Sequence, residues 1–121
     1  MVNVLVFSPT GNSELVALTV ASELGEKVNV VDLTKTHLMV ETFDPKDPMV
    51  IAGPVFGGRL PSLMVERLKS FSFNGVKVIT LVTYGNRAFE DALLELNNTV
   101  SELGGTPIAS AAVVARHSMV P

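Results

Sequence analysis

Strand-like apolar runs and helix-like amphipathic segments alternate along this chain, and that alternation limits it to very few architectures. Val2 to Phe7, Val28 to Leu33, Met49 to Gly53, Val76 to Val82 and Ile108 to Val114 read as strands. Between the first two, about Asn12 to Leu24 reads as a helix with Val16, Val20 and Leu24 on one face and Gly25 at its stop. Pro61 to Phe71 reads as a helix burying Met64, Val65, Leu68 and Phe71, and Asn74-Gly75 as a turn. The clearest helical spacing is Phe89, Leu93, Leu96, Val100 and Leu103, ended by Gly104-Gly105. Thr34 to Pro48 carries Pro45 and Pro48 and little periodicity, so the second crossover is either a short helix or mostly loop. Strands alternating with helices give a parallel sheet covered on its faces. The expected fold is a doubly wound α/β domain with strand order 2-1-3-4-5, whose ligands bind outside the carboxyl ends of the strands where the order reverses.

The composition is that of one small domain and removes several function classes. A chain of 121 residues with 47% hydrophobic content supports a single domain, 1–121, with one core. With no cysteine there is no disulfide, iron–sulfur cluster or thiolate chemistry. His37 and His117 are far apart in the sequence and have no metal-ligand spacing, so no metal is expected. The apolar start lacks a basic segment and is interrupted by Asn3 and Ser8, and no stretch approaches the roughly 20 apolar residues of a membrane span. A net charge of -3 with 9 scattered basic residues gives no surface that would track a nucleic-acid backbone. The expected location is the cytoplasm.

The first strand runs into Ser8-Pro9-Thr10-Gly11-Asn12-Ser13, which opens the first helix. A helix start offers unpaired N–H groups and the positive end of the peptide dipoles, and the hydroxyls of Ser8, Thr10 and Ser13 surround a glycine that permits close approach. Neither the spacing and lysine of a nucleoside-triphosphate loop nor the glycine spacing of a dinucleotide loop is present. The chemistry left is the binding of one monoester phosphate. Taken alone, the same residues also make an ordinary helix cap.

At these residues the chain resembles the flavodoxin family, whose phosphate loop holds the phosphate of FMN. The resemblance extends to Ile51-Ala52-Gly53-Pro54-Val55-Phe56-Gly57-Gly58-Arg59-Leu60-Pro61, similar to the loop along one face of the flavin, and to Thr83-Tyr84-Gly85-Asn86-Arg87, similar to the loop on its other side. It is nearest to the flavodoxin modules of anaerobes that are often fused to a ferredoxin, in which Pro54 to Pro61, Tyr84 to Arg87 and Arg116-His117-Ser118 have counterparts. Phe56 stands where tyrosine is usual. The chain given stops at Pro121, so the expected sheet lacks the family's C-terminal helix. That would leave Ile51, Ile79, Leu81 or Val113, according to parity, as an apolar patch for a second copy of the chain or another protein.

The resemblance implies FMN as cofactor, with Ser8, Pro9, Thr10, Gly11, Asn12 and Ser13 around its phosphate. It places Pro54, Val55, Phe56, Gly57, Gly58 and Arg59 along one side of the ring and Thr83, Tyr84, Gly85, Asn86 and Arg87 along the other. Gly57-Gly58 is either a plain tight turn or a peptide free to present a carbonyl to the flavin N5 when that atom gains a proton. Phe56 and Tyr84 are candidates to stack on the ring or to join the core. Arg87 or Arg116 is expected near the anionic edge of the reduced flavin, and Glu90, Asp91 and Glu95 on the solvent face of their helix. The implied function is an electron carrier exchanging electrons with a ferredoxin or a flavoenzyme, with no catalytic residue of its own. An FMN-dependent reductase of a small acceptor such as a quinone, and a flavin-free scaffold, are the alternatives.

Overall fold

Strand β1 (Val2–Val6) is flanked on one side by β2 (Val28–Asp32) and on the other by β3 (Met49–Pro54), with β4 (Lys77–Tyr84) and β5 (Thr106–Val114) continuing the sheet. All pairs are parallel and the order is β2-β1-β3-β4-β5, as expected. This is a computed structural model, and it describes residues 1–25, 27–35, 42–85 and 89–114. The helices are α1 (Asn12–Leu24), α2 (Ser62–Leu68) and α3 (Glu90–Glu102). Among the described residues, no helix is long and apolar enough to cross a membrane.

Alternate side chains of each strand go to opposite faces, which separates the core into two layers. Val2, Val4, Val6, Val50, Ala52 and Leu81 face α1, where they meet Ala17 and Ala21. Leu5, Met49, Ile51, Val78 and Val82 face α2 and α3, against Met64, Leu68, Leu96 and Val100. The helix α2 comes close to the sheet over Gly53, where an added Cβ would lie 2.2 Å from the sulfur of Met64. At the amino ends of the strands Phe43, Phe71 and Phe73 form an aromatic cluster, with ring centroids 5.9 to 6.4 Å apart.

Several sequence expectations are corrected in detail. The stripe that α1 buries is Ser13, Ala17 and Ala21, with Val16 and Val20 partly buried beside it, while Leu24 is exposed. Close approach of the helix to the sheet favours the small residues. The helix expected to reach Phe71 ends at Leu68, and Val65 is only partly buried; Phe71 is core, but from the turn that follows. Residues 42–48 are loop and turn, while 36–41, with His37, lie outside the described residues.

The expected apolar patch is smaller than the sequence implies. Ile51 is buried on the α2–α3 side, and Leu81 is covered by α1. The exposed surface belongs to β5, where Ile108, Ala109, Ala111 and Val114 are open to solvent and Val113 is half-buried. A register shift beside Val78 leaves Ile108 as the extra residue of a bulge, and Pro107, which has no N–H to donate, fits an edge strand. Through Ser110, β5 is tied to α3 by a network in which Thr80 Oγ1 donates to Asn97 Oδ1 (2.6 Å) and lies 2.7 Å from Ser110 Oγ.

Candidate functional site

Because the sheet is parallel, the loops after β1, β3 and β4 emerge at one end, and the register places them side by side. Phe7 N–H donates to Ala52 O (3.0 Å), and Val55 N–H to Thr83 O (2.8 Å), so each loop begins attached to its neighbour. Ser8 to Ser13, Pro54 to Arg59 and Thr83 to Gly85 are thereby brought together. Asn86, Arg87 and Arg116, with His117, lie outside the described residues.

The first loop turns into α1 at Gly11, whose φ of 89° is a left-handed conformation that glycine adopts without strain. Asn12 and Ser13 follow as the first helical residues. Their N–H groups find no acceptor among the described residues, as first-turn donors have no intrahelical partner. Ser8 Oγ accepts the N–H of Glu14 (3.0 Å), which leaves its own proton free to donate outward. Thr10 is exposed. Ser13 is buried, and its hydroxyl lies 2.7 Å from Thr83 Oγ1, joining the start of α1 to the end of β4.

The second loop is a two-residue turn. Phe56 N–H donates to Arg59 O (2.8 Å) and Arg59 N–H to Phe56 O (3.1 Å). The central residues Gly57 and Gly58 have φ of 58° and 83°, the signature of a I′ turn, which demands positive φ at both positions. Phe56 is exposed and does not join the core. Arg59 turns to α3, where its guanidinium donates to Glu95 from Nε (3.3 Å) and Nη2 (3.0 Å). The hydrogen bond to Glu95, together with its charge, holds the Arg59 pKa above the ordinary arginine value. Glu95, expected on the solvent face, therefore has a role that its position in the helix does not reveal. Its partners come from a loop distant in sequence.

In the third loop Thr83 is buried and Tyr84 is half-buried, packed on Phe89 with ring centroids 4.6 Å apart. Gly85 is exposed. Among the described residues, no group of three or more His, Cys, Asp or Glu side chains forms a metal site.

No family model and no curated protein sequence matches the chain. Its shape, in contrast, is similar to many solved structures. A flavodoxin from Streptococcus pneumonia TIGR4 superposes with a TM-score of 0.67 at 24% identity, over 93% of this chain and 83% of that one. Flavodoxin 2 from Bacillus cereus gives 0.69 at 17% identity, over 96% and 86%. A flavoprotein from Lactobacillus acidophilus NCFM, solved in complex with FMN, gives 0.62 at 13% identity, over 95% and 93%. With the strand order and the position of the loops, these likenesses establish that the chain has the flavodoxin fold.

Proposed function

We propose that this protein binds FMN and works as a flavodoxin-like electron carrier, exchanging electrons with a ferredoxin or a flavoenzyme. The observation that carries the reading is the meeting of three loops, each of the type the resemblance calls for, at the carboxyl ends of β1, β3 and β4. The donor set suits a phosphate monoester: the N–H groups of Asn12 and Ser13 and the hydroxyls of Ser8 and the exposed Thr10 lie in one short stretch at the start of α1. Phe56 and Tyr84, on the two neighbouring loops, supply apolar surface for a planar ring. The Lactobacillus neighbour solved with FMN supports the same ligand. When bound, the isoalloxazine supplies the redox chemistry, and the chain's residues hold and orient it.

The test is to titrate the purified protein with FMN, following the flavin absorption bands, and then to photoreduce it without oxygen. Spectral shifts on binding and two resolved one-electron potentials are expected. A single two-electron step would instead favour the reductase of a small acceptor, and no binding would leave the scaffold reading.

We also propose that a second copy of the chain packs on β5. This strand carries no charged residue from Thr106 to Val114 and leaves most of its side chains exposed. Long uncharged edges are templates for pairing with another chain. Light scattering coupled to size exclusion is expected to give twice the chain mass for the wild type and the single-chain mass for Ala111→Glu.

A further inference from the structure

The carboxylate of Glu95 grips the second loop by both its side chain and its backbone. Oε1 accepts from Arg59 Nε (3.3 Å) and from the Leu60 N–H (3.2 Å), and Oε2 accepts from Arg59 Nη2 (3.0 Å). Leu60 is itself buried, and the next residue leads into α2. The chain is therefore fixed immediately after the turn, while the turn is closed on itself by the Phe56–Arg59 pair. Within it, Gly57 is exposed and an added Cβ there would meet nothing within 4 Å, so the first half of the central peptide faces open space.

Arg59 is largely exposed, and an exposed ion pair of this kind adds little to global stability. A carboxylate that also holds a backbone N–H beside a buried leucine acts differently, because it fixes the height and direction of a loop. We infer that Glu95 is a positioning residue for the second loop, anchoring its C-terminal half to α3 so that rearrangement is confined to the peptide between Gly57 and Gly58. The consequence for flavin binding rests on the function proposed above; the anchoring does not.

The two parts are tested separately on the full chain. In the FMN-free protein, amide hydrogen exchange is compared between wild type, Glu95→Ala and Glu95→Gln. Exchange at Leu60, whose N–H donates to Glu95, is expected to speed up by about tenfold or more in Glu95→Ala, the factor for losing a hydrogen bond to a charged acceptor. Exchange at Phe56 and Arg59, which close the turn on each other, is expected to speed up with it as the anchor is lost, with Val4 and Ile51 still protected. Glu95→Gln keeps an acceptor oxygen for Leu60 and is expected to fall between, and it decides the matter if Glu95→Ala does not fold. Unchanged exchange at Phe56, Arg59 and Leu60 in the folded variants would overturn the anchoring role. In the FMN-loaded protein, Glu95→Ala is expected to bind FMN about tenfold more weakly and to alter the gap between the two one-electron potentials. Unchanged affinity and potentials despite faster exchange would overturn the link to the flavin. A wild type that binds no FMN, yet shows the exchange effect, would uphold the anchor and refute the proposed function.

Discussion

The hydroxyls of Ser13 and Thr83 meet at 2.7 Å under the first turn of α1, seventy positions apart in the chain. This buried pair sets the distance between the first and third loops, so the geometry of the candidate phosphate site depends on the end of β4. Replacing Ser13 by alanine leaves the Thr83 hydroxyl buried without its partner and is expected to destabilise the protein by about 1–3 kcal/mol. Ser13→Ala combined with Thr83→Val removes both polar groups and is expected to recover much of that loss. Urea unfolding of the single and double variants measures both.

Thr10 is exposed just before α1, so it can be changed without touching the core. Thr10→Val is expected to weaken FMN binding by about tenfold or more, the loss of one hydrogen bond to a charged acceptor, with the unfolding midpoint unchanged. Riboflavin has no phosphate and should bind both proteins equally. Paired titrations with the two ligands separate the phosphate contact from the ring contacts.

Gly53 and Met64 form a tight pair in which the helix has room only because the strand residue lacks a side chain. Gly53→Ala forces the buried methionine to move in a packed interior and is expected to cost about 1–3 kcal/mol. Adding Met64→Ala relieves the overlap, so the double variant should be more stable than the sum of the single effects predicts. A thermal-unfolding double-mutant cycle gives the coupling.

Gly57 has positive φ and free space around it, so the cost of a side chain there is conformational and not steric. Gly57→Ala is expected to cost about 1–2 kcal/mol, borne by the turn. Unfolding in denaturant would show a shift of that size, and in the flavin-loaded protein the gap between the two potentials should change with it.

The fold was legible because β-branched runs and helical spacing carry their own period, and Asn12 to Leu24 reads correctly to both ends from the loop before it and Gly25 after it. What the pattern could not give is depth. Leu24 looks like core by hydropathy, but α1 lies too near the sheet for large side chains, and the stripe it buries is Ser13, Ala17 and Ala21. The strand β5 begins earlier than its apolar run suggests, since Thr106 N–H already donates to Val76 O (2.8 Å) and an edge position tolerates Pro107. The loops of the candidate site could be located in the sequence, but the contacts that fix them could not. Glu95 reads as a surface carboxylate, and Ser13 as one more phosphate donor, until the fold brings Leu60 and Thr83 to them.

Tyr84, packed on Phe89 in the third loop, is the chain's single tyrosine, and there is no tryptophan. Its emission is therefore a local optical probe, with no brighter fluorophore in the chain to mask it. A flavin seated between the second and third loops would quench that emission, whereas a ligand bound at a distant surface would leave it bright, so the unmodified protein carries its own reporter of where binding takes place.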